Sequence, residues 1–274
     1  METSTAPKSL IACMGHAIYQ TRAESAQRGD KREWVGGFKG EDGLYFQHVK
    51  DAADLARSGK YDCLVLSGGR TRMKSVKAED RIDKSEAQGM LDLGLDQKPP
   101  WFVMRSDDLY YVERTEATRV LLEESARDSF ENLLFSTLRF HKEFGVPPTG
   151  VVGVVSFQFK LLRYSIAATA LELRDFAFHG SGDPEFATIK RCGKEEAEYD
   201  QEALKDPLHR GVAFSTKRLK RTPTDKGYEQ YWSDLTAYYS NNSSLGVVKQ
   251  YLDEIRALES PPSEPDAPWA PWRD

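Results

Sequence analysis

Short, unbroken apolar runs alternate along this chain with longer segments of helical periodicity, and few folds accommodate that order. The runs are Leu10-Ile11-Ala12-Cys13-Met14, Tyr61-Asp62-Cys63-Leu64-Val65-Leu66, Arg119-Val120-Leu121-Leu122, Val151 to Val155 and Phe176-Ala177-Phe178. A run that is apolar at every position, not at every second one, suits a strand covered on both faces, as in a parallel sheet. Between the runs, Phe46 to Arg57, Asp83 to Leu93, Asp128 to Phe144 and Phe159 to Leu173 are long enough to serve as crossover helices. In the third of these, Phe130, Leu133, Leu134, Thr137, Leu138 and His141 share one face, so that face is buried. The order predicts an α/β fold: a Rossmann-like, doubly wound, mainly parallel sheet with helices on both faces, followed by a C-terminal extension.

Thirty-eight Lys+Arg against 43 Asp+Glu give a formal charge of −5, which argues against a wholly basic nucleic-acid binder. Thirteen Phe, 12 Tyr and 5 Trp need a core to pack in, which excludes disorder as the main state. The three cysteines, Cys13, Cys63 and Cys192, form no CxxC pair, and so suggest neither a disulfide framework nor a zinc ribbon. Cys13 and Cys63 fall inside predicted strands and read as inert core thiols. Residues 1–8 lack the basic start and apolar stretch of a secretory signal, and no window approaches the roughly 20 apolar residues of a bilayer span. A cytoplasmic protein with no membrane partner is expected. The expected organisation is a flexible N-terminus over 1–9, the α/β domain over 10–184, an extension packing on it over 185–260, and a Pro- and acid-rich tail over 261–274. Lys98 to Glu116 reads as an added strand or a lid, Asp183 to Asp234 as irregular, and Ser244 to Leu258 as a last helix.

In an open parallel sheet, ligands bind outside the carboxyl ends of the strands. The residues expected there are polar: Gly15-His16, Ser67-Gly68-Gly69-Arg70, Glu123 to Asn132, Ser156 to Lys160 and His179 to Asp183. Ser67-Gly68-Gly69 leaves room for a ligand against the main chain, and its amides suit an anion at the next helix start; a plain turn is the alternative. Neither GxGxxG nor the Walker pattern is present. Asp128 and Glu131 have the spacing of a capping box. Arg127 and Asn132 are not needed for capping, and Glu123, at a strand end, suits ribose hydroxyls or the role of general base. Glu86 falls in a first helical turn, where the helix dipole alone favours an acid.

Lys160 and Arg163, three residues apart, converge on one anion or else line a solvated helix face. His16 and His179 both fall at strand ends and are expected to approach each other across the site, whereas His141 belongs to a buried helix face. The histidines show no HExxH spacing, so no metal ligand set is expected. Ser67, Ser129 and Ser156 lack a GxSxG elbow. The run Lys217-Arg218-Leu219-Lys220-Arg221 reads as a solvated loop, or as a phosphate-attracting rim at the mouth of the site.

One family carries these pieces in this order. Gly15-His16-Ala17, Ser67-Gly68-Gly69, Ser85-Glu86-Ala87, Glu123 with Arg127 to Asn132, Ser156 with Phe159-Lys160 and Arg163, and Gly182-Asp183-Pro184 together resemble the YdcF/SanA-like family, domain of unknown function 218. The block Ala126 to Ser136 and Phe159-Lys160 resemble its soluble eukaryotic, fungal-type branch. Two departures stand out. Asp128-Ser129 replaces the Asn-Thr usual in bacterial members, and Lys160 replaces a His, which substitutes a fixed cation for a neutral-pH acid/base. The resemblance implies a Rossmann-like fold and, through one bacterial branch, S-adenosylmethionine as ligand; it brings no established reaction.

These residues lead to the expectation of a small-molecule enzyme or ligand binder for an anionic, nucleotide-type ligand. Glu86, Glu123 and Lys160 are its expected catalytic residues. Gly15, His16, Ser67, Gly68, Gly69 and Arg70 are expected to bind the ligand from one side. Arg127, Asp128, Ser129, Asn132, Ser156, Phe159 and Arg163 are expected to bind it from the other. A metal-assisted phosphoryl hydrolase or transferase, with Glu86 or Glu123 activating water, and a non-catalytic sensor or scaffold are the alternatives.

Overall fold

The computed structural model describes residues 8–27, 33–37, 41–72, 81–106, 109–115, 118–182, 198, 200–209, 212–221, 233 and 237. In chain order the elements are β1 (Leu10–Met14), β2 (Ile18–Tyr19), α1 (Arg22–Gln27), β3 (Trp34–Val35), α2 (Asp42–Arg57), β4 (Cys63–Ser67), α3 (Glu86–Asp96), β5 (Phe102–Met104), β6 (Tyr110–Val112) and β7 (Arg119–Glu123). They continue with α4 (Ser129–Phe144), β8 (Val152–Ser156), a 3-10 turn at Gln158–Lys160, α5 (Leu161–Ala170), β9 (Phe176–Gly180) and α6 (Val212–Arg221).

The five apolar runs become five parallel strands in the order β7-β4-β1-β8-β9. Their side chains explain the double winding. Leu10, Ala12 and Met14 of β1 pack with Phe130, Leu133 and Tyr164 of α4 and α5, while Ile11 and Cys13 pack with Val49, Ala52 and Met90 of α2 and α3. Each fully buried phenylalanine of α4, among them Phe130 and Phe135, contributes about 2–3 kcal/mol by area removed from water. α4 begins where Asp128 Oδ1 accepts from Glu131 N and ends at Gly145, whose φ of 73° is the left-handed conformation that glycine adopts without cost. Burial pushes the thiols of Cys13 and Cys63 up, as expected of core cysteines.

Lys98 to Glu116 supplies strands, not a lid. β5 and β6 form an antiparallel hairpin that continues the sheet beyond β7. The stretch read as irregular contains α6 and helical residues at 200–205. A small antiparallel pair, β2 with β3, has no counterpart in the sequence reading. Cys192, Asp183-Pro184, the expected helix at 244–258 and the tail at 261–274 lie outside the described residues. Among the described residues no helix is long and apolar enough to cross a membrane.

Register is what builds the site. Met14 pairs with Ser67, Ser67 with Glu123, and Cys13 with Val155. The carboxyl ends of four strands therefore finish in one row, and strand order reverses between β1 and β8.

Candidate functional site

His16 follows β1 and Ser156 ends β8, so the two flank the reversal. His16 Nε2 lies 3.1 Å from Ser156 Oγ, and Lys160 Nζ lies 3.2 Å from His16 Nδ1. An ammonium has donors and no acceptor. It therefore donates to Nδ1, which leaves the imidazole proton on Nε2 and makes Ser156 Oγ the acceptor. In this tautomer His16 does not draw a proton from Ser156. The ring stacks on Phe157 at 4.5 Å between centroids, and His48 from α2 meets it edge-on at 5.1 Å. Phe159 stacks on Phe157, and the Lys160 ammonium stands 5.7 and 5.8 Å from these two rings, within cation–π reach. Burial, then the charge of Lys160, holds the His16 imidazole well below its ordinary pKa; His48, Arg163 and Arg221 add to the effect. Burial and Lys160 likewise push His48 down to about 3.

The turn after β4 does not cradle an anion. Gly68 N donates to Glu123 O and Gly69 N to Ala126 O, at 3.0 and 2.9 Å. The first amides of α3 are also taken: Glu86 N by Gly69 O, Ala87 N by Gly68 O, and Gln88 N by Ser85 Oγ. The glycines have a different physical reason. A Cβ at Gly15 or at Gly68 would stand within 2.6 to 2.8 Å of Glu86 Cβ and Oε2. Gly15 and Gly68 thus admit the Glu86 side chain between the ends of β1 and β4, where Oε1 accepts from Thr71 Oγ1 at 2.6 Å. Arg70 turns toward Asp83 at the surface, 3.3 Å away.

Glu123 is 1% exposed, and both its oxygens face protein donors. Oε1 accepts from Ser125 N and Ala126 N at 2.7 and 3.1 Å, and Oε2 lies 2.7 Å from Ser67 Oγ. Burial pushes its pKa up to about 8, against the pull of Ser67 and the two amides. A proton on Oε2 fits without rearrangement, because Glu123 then donates to Ser67 Oγ and Ser67 donates onward to Asn132 Oδ1, 3.1 Å away. The side chain expected to take ribose or act as base instead ties β4, β7 and α4 together.

At the start of α4, Glu131 reaches back past the cap. Arg127 donates to it from Nε at 3.0 Å, from Nη2 at 2.6 Å and from its backbone N at 2.8 Å. Arg218 completes the group: Nε stands 2.9 Å from Asp128 Oδ2 and 3.2 Å from Glu131 Oε1, while Nη1 donates to His209 O. Burial alone would raise Asp128, but Arg218 and His209 hold it well below the usual carboxylate range. Arg218 is 0% exposed, so the basic run is no solvated loop. Arg221, three residues on, donates to Arg127 O at 2.6 Å. Arg163 donates to Asp200 Oδ1 at 3.1 and 3.2 Å. The fully buried Tyr164 lies against Ser129, Asn132 and Ser156, and burial pushes its phenol up to about 12, which joins the α4 start to the β8 end.

The structure thus brings His16, Ser156, Phe159 and Lys160 together, with Ser129 and Asn132 nearby through Tyr164. It commits Arg127, Asp128 and Arg163 to carboxylate–guanidinium pairs and places Arg70 apart. His179 does not meet His16: it lies at the β9 end, 2.9 Å from Tyr61 Oη, beside an open groove of about 370 Å³ lined by Asp51, Asp54 and Ser181. His48 takes the place expected of His179. Its position on the buried stripe of Tyr45, Val49 and Ala52 was the available signal. Arg218 lies one helical turn from Phe214, which is the corresponding sign that it points inward. Among the described residues no three His, Cys, Asp or Glu side chains converge as a metal site. The fold and this geometry define a doubly wound α/β protein with Lys160, His16 and Ser156 gathered at its topological switch point. Compared with protein-family models, curated proteins and solved structures, the chain matches none.

Proposed function

We propose that this chain binds a small anionic, nucleotide-type ligand over the β1 and β8 ends and acts on it as an enzyme. The observation that carries this reading is the chain Lys160–His16–Ser156 at the switch point, with the charges of Arg163 and Arg221 acting on the same imidazole. Open α/β sheets bind ligands at that place. Lys160 supplies an ammonium to an incoming oxyanion, and His16 stays neutral because burial, and then the charges of Lys160, Arg163 and Arg221, disfavour its protonated form. An anion offsets that charge, so His16 gains a proton more readily once the ligand is seated. This couples binding to general acid chemistry. Glu86, wedged between Gly15 and Gly68, places a carboxylate beside the β1 end.

S-adenosylmethionine is the ligand suggested by the resemblance to the domain of unknown function 218 family. Its carboxylate suits Lys160, but its sulfonium adds a like charge, whereas a nucleoside phosphate brings only negative charge to the cations. Calorimetric titration with S-adenosylmethionine, adenosine 5′-monophosphate and a sugar phosphate, each with and without Mg²⁺, separates the alternatives. We expect saturable binding of the adenosine monophosphate, weakened about tenfold by Lys160→Met, the loss of one charge-assisted contact. Binding without turnover favours a sensor, and Mg²⁺-dependent phosphate release favours a phosphoryl transferase or hydrolase. No saturable binding of any of the three contradicts the reading.

A further inference from the structure

Resting on that reading, we propose that Arg221 is a further ligand-binding residue, an oxyanion contact delivered to the site by α6, and that Arg218 is the positioning residue that seats it. Asp128 and Glu131 stand at the first turn of α4 with 5% and 0% exposure. Arg127 engages Glu131 alone within this pair. Among the described residues, Asp128 and Glu131 without α6 would face the single guanidinium of Arg127, and an uncompensated buried charge is strongly unfavourable. Arg218 supplies the missing charge, contacts both acids and donates to the His209 carbonyl. The register of α6 on α4 is therefore set by an ion cluster, not by apolar contact alone.

That register has a consequence one turn further on. Residues three apart share a helix face, so seating Arg218 brings Arg221 to the same side. Arg221 donates one N–H to the carbonyl of Arg127, two residues before Ser129, and Ser129 and Ser156 both lie against Tyr164. Ser156 in turn contacts His16. The guanidinium is thereby held against the α4 start, which Tyr164 joins to the β8 end, and its charge is among those acting on His16. It is half-buried, and a fork of five donors held at one point retains others for a phosphate or carboxylate. The site is then formed by two parts of the chain, with Lys160 from the 3-10 turn before α5 and Arg221 from the C-terminal helix.

Inorganic phosphate is the probe, titrated into the full chain and into Arg221→Gln, Arg218→Met and Lys160→Met, with hydrogen exchange of 212–221 followed in parallel. Arg221→Gln should weaken phosphate binding about tenfold while leaving exchange in α6 unchanged. Arg218→Met should accelerate exchange in α6 and weaken phosphate binding to the same extent, and the double variant should lose no more than either single one. If Arg218→Met does not fold, Arg221→Gln decides the matter by itself. Loss in Lys160→Met with none in Arg221→Gln overturns this proposal and leaves the binding site standing. Faster exchange in Arg218→Met at unchanged affinity also overturns it, as does a wild-type chain that does not bind phosphate, whereas the reading of the site itself falls only if the three ligands named above also fail to bind.

Discussion

Single side chains at this site have roles that their sequence positions only half disclose. Glu123 sits at a strand end, where a ligand-facing carboxylate is expected, yet all its hydrogen bonds run inward. With its pKa pushed up to about 8, it holds a proton at neutral pH, and glutamine is close to the isostere of that state. Glu123→Gln should therefore unfold within about 1 kcal/mol of the wild type at pH 7, whereas Glu123→Ala should cost about 1–3 kcal/mol by stranding buried donors. The sign of the pH effect follows. A folded-state pKa above the ordinary value of 4.5 means stability present below 4.5 and lost as pH rises toward 8. Thermal denaturation across that range should show the decline in the wild type and not in Glu123→Gln; an equal decline in both would contradict the protonated reading. Gly15 belongs to the same scale. Its Cβ would stand 2.6 Å from Glu86, so Gly15→Ala should cost about 1–3 kcal/mol of unfolding free energy, read from denaturant unfolding, where an open ligand-facing turn would tolerate alanine.

At the scale of elements, the start of α4 and the inner face of α6 depend on one ion cluster. Removing one partner of a buried pair costs about 3–5 kcal/mol, so Arg218→Met should lower the thermal midpoint sharply. Exposed pairs such as Lys50–Asp54, each 43–47% exposed, should be nearly silent when cut. A midpoint change no larger for Arg218→Met than for Lys50→Met would contradict the cluster's importance. The sequence made the strands of this region legible because each is apolar throughout and sheet burial demands that. It also disclosed the Asp128 cap, since capping is local. It did not disclose the partners of Arg218 or Glu131, because a buried cation on α6 looks the same in sequence as a solvated one until the acids of α4, some 90 residues away, are placed against it. Lys98 to Glu116 was ambiguous for a similar reason: a short strand becomes recognisable only when β7 offers an edge to pair with.

For the whole molecule, the alternation of runs and helices was sufficient to predict the doubly wound sheet, and with it the switch point between β1 and β8. Which cations act on His16 at that point was not legible, because Arg127 and Arg163 turned to carboxylates while the charge of Arg221 comes from a segment read as loop. The same placement shapes acid stability. His16 and His48 are both held below their ordinary pKa of 6.5, His48 at about 3, so the folded state binds fewer protons than the unfolded one beneath 6.5. The His48 contribution is present above 6.5 and is lost as pH falls toward about 3, at roughly 1–2 kcal/mol by about pH 5, and that of His16 has the same sign. His48→Phe should flatten part of that acid limb, and an unchanged slope would remove His48 from the account. The central claim, that this site takes an anion beside His16, is met most directly by following the imidazole nitrogens of His16 by NMR while inorganic phosphate is added. The account predicts an Nε2–H tautomer in the free protein and a saturable shift with a rise in the His16 pKa as phosphate binds, the shift being lost in Lys160→Met. Nitrogen signals that stay unmoved through the whole phosphate titration would contradict it.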